Sequence, residues 1–243
     1  MFPLQRHREL TAAMRPRCRK TRVWGSTSEN VHSSRAIGPL RIELLWGCEE
    51  SSEKTAVGSG VTFKYDPFGR RIEKISPTTT SIFSYDGNNL VETVNASGGV
   101  VARYALGQNL DQPLAMERGS AVDYYEQDGL GSITSLTASN GSVTQSYTYD
   151  SFGNTVNSSG SVTNFLRYAG PEFDTETNLY YNRARYFDPT AGRFLSEDRI
   201  GFRGGINFYA YVENNPILLT DPTGLIHPAW NEPPYDGRLH AAL

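Results

Sequence analysis

The sequence predicts an all-β fold, and three observations carry that prediction. Tyr (14 residues) and Gly (23 residues) stand out in a chain that is only 38% hydrophobic. That pairing is expected where half-buried strands meet in tight turns. A marker tyrosine recurs at Tyr65, Tyr85, Tyr104, Tyr125, Tyr149 and Tyr168, with spacings between 19 and 24 residues. A fixed period of this size signals a repeat architecture. Between markers run short apolar–polar alternations closed by turn dipeptides, the period of a strand with one buried face.

Residues 1–57 fall outside the pattern and are left unassigned, as a disordered or atypical leader. Arg6, Arg8, Arg15, Arg17, Arg19, Lys20 and Arg22 face a single acid, Glu9. No aromatic interleaving accompanies them, so a leader is favoured over a basic arm for an anionic partner. The segment Pro39–Trp46 reads equally as a strand or a short helix.

Residues 58–165 hold the repeats. Val61–Tyr65 alternates as a half-buried strand. Asp66-Pro67-Phe68-Gly69 reads as a type I turn, with Asp first, Pro pre-setting the second position and Gly fourth. Arg71–Ile75 is the return strand, so one repeat is one hairpin. The phrases that follow carry the same grammar: SIFSYDGNNLVETV, VVARYALGQNLDQPLAM, DYYEQDGLGSITSLT and VTQSYTYDSFGNTV. Asn140-Gly141 predicts a two-residue primed turn. A lone hairpin is not stable, so the units are expected to pair edge to edge into one long sheet.

Residues 166–225 are the densest stretch, with aromatics, arginines and three aspartates in turn phrases: Asp188 in DPTAG, Asp198 in EDRIG and Asp221 in DPTG. Asn207–Asn214 is expected to carry a helical turn or two. The tail, residues 226–243, contains three prolines and no periodicity, and is expected to be extended or disordered.

Net charge is −3 and mean hydropathy is −0.47, which gives no drive toward nucleic acid or anionic membranes. No apolar run approaches the roughly 20 residues of a membrane span, and no signal peptide is visible. Cys18 and Cys48 form neither a disulfide scaffold nor a metal site. His7, His32, His227 and His240 lack ligand spacing, and no phosphate loop or nucleophile elbow appears, so no metal or cofactor is expected.

These residues resemble the YD-repeat, or Rhs, family. Tyr-Asp pairs stand at 65–66, 85–86 and 149–150, and Asp128-Gly-Leu-Gly-Ser132 resembles another family phrase. Residues 166–225 resemble the Rhs repeat-associated core domain, through YAGPEFDTETNLYYNRARYFDPTAGRFLSED, NFYAYVENNP and DPTGL. The resemblance implies a sheet that spirals into a hollow, teneurin-like shell closed by the core segment. Its implied partners are further shell repeats or a C-terminal effector polypeptide, and its implied setting is secreted or cell-surface.

The resemblance also implies self-cleavage after the leucine of the DPxGL phrase by an aspartate pair with an arginine. Matched position by position, the pair is Asp198 and Asp221, the cation is Arg185, and the bond is Leu225–Ile226. The family writes proline after the first aspartate, where this chain has Arg199, a second cation beside that carboxylate. On the residues alone, Asp221 also reads as a turn-capping residue and Arg185 as an arginine stacked among Tyr180, Tyr181 and Tyr186. Asp188 is a turn residue in either case. Two other readings stand beside the cleaving shell: a non-catalytic structural or interaction module, and a degenerate fragment of a larger gene.

Overall fold

Alternation along Val61–Tyr65 buries Val61, Phe63 and Tyr65 and leaves Thr62 and Lys64 half-exposed. The same rule builds the rest of the molecule. The computed structural model describes residues 60–225, and the backbone course of strands β1 (Lys20–Trp24), β2 (Arg41–Leu45) and β3 (Ser52–Val57) before them. Ten further strands follow: β4 (Val61–Tyr65), β5 (Arg71–Ile75), β6 (Thr80–Asp86), β7 (Asn89–Asn95), β8 (Val100–Leu106), β9 (Pro113–Arg118), β10 (Ala121–Gln127), β11 (Ile133–Ala138), β12 (Val143–Tyr149) and β13 (Thr155–Gly160). Every strand pairs antiparallel with its sequence neighbour, from β1 to β13, in one unbroken meander. The stretch 39–46, ambiguous in sequence, contributes strand β2.

The tight turns share one wiring. At Asp66, Asn95, Asp128, Ala138 and Asp150, the turn's first residue accepts from the glycine three positions on and donates to the carbonyl four positions on. Each of those glycines has positive φ, between 80° and 85° at Gly69, Gly98, Gly131, Gly141 and Gly153. This is a type I turn followed by a left-handed glycine that bulges the return strand. The Asn140-Gly141 turn is therefore not the two-residue primed turn its dipeptide suggests. Gly141 alone has positive φ there, and the loop closes between Ala138 and Ser142. The aspartates at 66, 128 and 150 earn their place by accepting two backbone N–H groups each, as at Phe68 and Arg70 from Asp66.

A second, four-stranded sheet follows: β14 (Glu172–Asp174), β15 (Leu179–Asn182), β16 (Arg185–Asp188) and β17 (Arg193–Phe194). It is buried on both faces. Tyr180 and Tyr181 show how it is held. Consecutive residues of a strand point to opposite faces, and these two hydroxyls donate to carbonyls in two distant turns, Gly153 at 2.9 Å and Gly69 at 2.8 Å. The small sheet is thus tied to the β4–β5 turn on one side and the β12–β13 turn on the other. Three buried clusters follow. One lines strands β6 to β12 with Phe83, Tyr104, Met116, Tyr125 and Leu136. One joins β4 to the small sheet through Phe63, Tyr65, Tyr181 and Tyr186. The third lies within the closing segment around Tyr180, Phe187, Phe194 and Tyr211.

The expected helical turns across Asn207–Asn214 are largely absent. Short 3-10 turns occur at Gly201–Gly204 and Val212–Asn214. Val212, Glu213 and Asn214 all have positive φ, at 41°, 53° and 60°, a left-handed course that a right-handed helix cannot continue.

Candidate active site

The two-residue turn Arg183-Ala184 joins β15 to β16 and presents a row of donors. Asn182 Nδ2 donates to the Asp221 carbonyl at 2.7 Å. Arg183 Nη1 donates to the Pro222 carbonyl. The Ala184 N–H donates to the Thr223 carbonyl at 3.1 Å. Arg185 Nε donates to the Gly224 carbonyl. Four consecutive residues thus hold four consecutive carbonyls of the DPTG segment in strict register. Gly224 allows the approach. Its φ is +71°, and a methyl group there would lie 2.4 Å from the Asn182 carbonyl oxygen and 3.0 Å from the Arg185 nitrogen.

This row delivers Asp221 to Arg185. The Arg185 Nη2 lies 2.9 Å from Asp198 Oδ2 and 3.4 Å from Asp221 Oδ2. All three side chains are buried, Asp221 to 1% exposure. Arg185 Nη1 also donates to the Phe208 carbonyl at 3.0 Å, and its guanidinium lies 3.6 Å from the centre of the Phe194 ring. The stacking partner is therefore Phe194 and not the three neighbouring tyrosines. Burial lowers the Arg185 pKa, opposed by the charges of Asp198 and Asp221. The nearby Tyr211 hydroxyl is pushed well above its ordinary value by burial, then by Tyr168 and Asp221.

Each carboxylate also organises its own turn. Asp198 Oδ1 accepts from the Ile200 N–H at 3.0 Å. Asp221 Oδ1 accepts from Thr223 Oγ1 at 3.2 Å and from the Leu225 N–H at 3.1 Å. Leu225 is therefore tethered to one member of the pair. Ile226, on the far side of the expected cleavage bond, lies outside the described residues. Asp188 is turned away in its own loop, where it accepts from the N–H groups of Thr190 and Ala191. Arg199 is exposed, and Asp198 takes its cation from Arg185.

Several site residues escape a reading of the sequence. Gly204 looks like a turn glycine, yet a methyl group on it would lie 2.6 Å from Asp198 Oδ2, so it leaves room for the carboxylate. Asn182 and Arg183 carry no motif signal beyond their nearness to Arg185. Arg71 is the largest omission. Fully buried, it pairs with both Glu172 and Asp174 and lies over the rings of Phe63, Phe83 and Tyr181. Among the described residues, no group of three or more His, Cys, Asp or Glu is placed to hold a metal, and no helix is long and apolar enough to cross a membrane.

Comparison with known proteins places this architecture. The chain is similar to tRNA nuclease WapA of Bacillus subtilis, 35% identical over 178 residues, covering 70% of this chain and 8% of that protein. It is similar to toxin protein Tse5 of Pseudomonas aeruginosa, 31% identical over 201 residues, covering 68% of this chain and 15% of that one. The chain therefore spans a small part of the length of these relatives. Among solved structures, the TcdB2-TccC3-Cdc42 crystal structure superimposes with a TM-score of 0.58 at 24% identity, over 76% of this chain and 10% of that one, a likeness of fold. The Teneurin YD-shell family model matches residues 60–217, from the first strand with described side chains to the turn before DPTGL. The unbroken meander, the tyrosine period and this match together establish that the chain belongs to the Teneurin YD-shell family.

Proposed function

We propose that this chain is the closing part of an Rhs-type shell that encloses a C-terminal effector polypeptide, and that it cuts its own backbone after Leu225. The observation that carries the reading is the meeting of Asp198 and Asp221 at one nitrogen of Arg185, with the DPTG carbonyls held in register beside them. Toxin and nuclease relatives support the effector part, and a place in a secreted, toxin-type protein follows from the same resemblance.

In this reading the two aspartates share one proton. One carboxylate takes a proton from water while the other, protonated, hydrogen-bonds the Leu225 carbonyl oxygen. The water oxygen bonds to the Leu225 carbonyl carbon and the oxygen gains the donated proton. The C–N bond to Ile226 then breaks, and the leaving nitrogen takes up a proton. The new carboxylate stays on Leu225. Arg185 orients the pair and holds the Gly224 carbonyl, one residue before Leu225.

The experiment is the intact mass of freshly folded protein bearing a C-terminal tag. Loss of everything beyond Leu225, abolished by Asp198→Asn or Asp221→Asn, supports the reading. A second reading, a non-catalytic shell module, is favoured by the turn hydrogen bonds both aspartates already make. Under that reading the tagged chain keeps its full mass.

A further inference from the structure

Arg183 occupies the tip of the turn between β15 and β16 with φ of 55°, a costly conformation for a non-glycine residue. Its guanidinium reaches three groups. Nη1 and Nη2 grip the two oxygens of Asp111 at 2.8 and 2.6 Å. Nη2 also donates to the Asn88 carbonyl at 2.9 Å, and Nη1 to the Pro222 carbonyl. Burial alone would lower the Arg183 pKa, but Asp111 outweighs it and raises it. Asp111 is itself fixed. Its N–H donates to Asn89 Oδ1 at 3.1 Å, and it presses on Gly170, where a methyl group would lie 2.7 Å from the Asp111 Cβ.

These residues come from three places: the β6–β7 turn and the start of β7 (Asn88, Asn89), the β8–β9 loop (Asp111) and the segment leading into β14 (Gly170). Asn88 and Asp111 meet at one cation that also holds the residue after Asp221, while Asn89 and Gly170 pack against Asp111. Arg185 grips the DPTG segment from the carboxylate side and Arg183 from the wall side.

We infer that Arg183 is a positioning residue for self-cleavage, and that its ion pair with Asp111 makes cleavage conditional on correct placement of the β6–β7 turn and the β8–β9 loop. The inference rests on the self-cleavage reading. When the β6–β9 loops are in place, Asp111 draws Arg183 out to the wall, and the Pro222 carbonyl follows. That sets the depth of Asp221 against Arg185. Without the pair, DPTGL still carries Asp221, but its register against Arg185 is loose.

The test uses the full chain with a C-terminal tag, recovered as insoluble, never-folded protein and refolded from denaturant so that uncut precursor is present at time zero. The rate of loss of the segment beyond Leu225 and the melting temperature are read together for wild type, Asp111→Asn, Asp111→Glu and Arg183→Lys. Asp111→Asn is expected to slow cleavage by about a hundredfold, the usual cost of a misplaced reacting group, with partial rescue in Asp111→Glu. A core variant far from the site, Leu136→Ala, is expected to lower the melting temperature without slowing cleavage of the folded fraction. Should Arg183→Lys fail to fold, the Asp111 pair of variants decides. Wild-type rates in Asp111→Asn overturn the inference and leave self-cleavage standing. No cleavage in wild type sinks the self-cleavage reading and the inference with it.

Discussion

Asp198 and Asp221, 23 positions apart in sequence, meet at a single guanidinium nitrogen, Nη2 of Arg185, at 2.9 and 3.4 Å. One cation thus lies against two buried carboxylates, the arrangement that the proposed aspartic mechanism would use. Arg185→Lys keeps the charge but loses the planar fork that also holds the Gly224 carbonyl. Cleavage is expected to slow by about a hundredfold, with a modest loss of stability. Arg185→Ala leaves two buried carboxylates without their cation and is expected to cost about 3–5 kcal/mol. Refolding time courses and urea titrations check both.

Gly224→Ala tests the register of the substrate segment. The added methyl meets backbone atoms, which cannot rotate away, and the positive φ is unfavourable for alanine. The expected cost is about 1–3 kcal/mol, with cleavage slowed more than stability alone explains. Melting temperature and precursor half-life, measured on one preparation, separate the two effects.

The Arg71 cluster joins the first described hairpin to the small sheet. Arg71→Ala strands the Glu172 carboxylate, held otherwise by Tyr85 at 2.8 Å, and leaves Asp174 to Lys74 at 3.2 Å. Breaking a buried pair of this kind typically costs about 3–5 kcal/mol, a large part of a domain's stability. Urea unfolding is the check, and a loss under 1 kcal/mol would show that the cluster is not the tie it looks like.

Burial raises the tyrosines Tyr104, Tyr125, Tyr149, Tyr180 and Tyr186, and pushes Tyr168 up to about 12. The folded state then holds phenolic protons that the unfolded chain releases near pH 10. Their stabilising contribution is complete below that pH and is lost as pH rises through the folded values. The melting temperature is expected to fall from pH 10 upward, with the tyrosinate absorbance of these buried residues appearing only as the chain unfolds. Tyrosinate absorbance from the whole set of tyrosines at pH 10 in a still-folded chain contradicts this.

The wall was legible because its signals are local. Alternation, a tyrosine each 20 or so residues and Asp-to-Gly turns are all read within a few positions, and Asp66 and Asp188 cap turns as their phrases say. The Asn140-Gly141 turn was misread because that dipeptide suits two loop lengths, and strand register chooses between them. The small sheet's seat was not legible, since its ties span about a hundred residues, as from Arg71 to Asp174. Nothing local says that Arg70 faces its own turn while Arg71 is buried, or that Arg183 faces the wall while Arg185 faces the aspartates. The proposed catalytic trio came from resemblance, and the spacing of Asp198 and Asp221 alone does not imply that they meet.

The most direct test is the mass of the C-terminally tagged chain, followed from the moment of refolding. The account predicts a new C-terminus at Leu225 in the wild type, formed at a rate independent of protein concentration, and a full-length mass in Asp198→Asn and Asp221→Asn. A wild-type chain that folds and keeps the Leu225–Ile226 bond contradicts it.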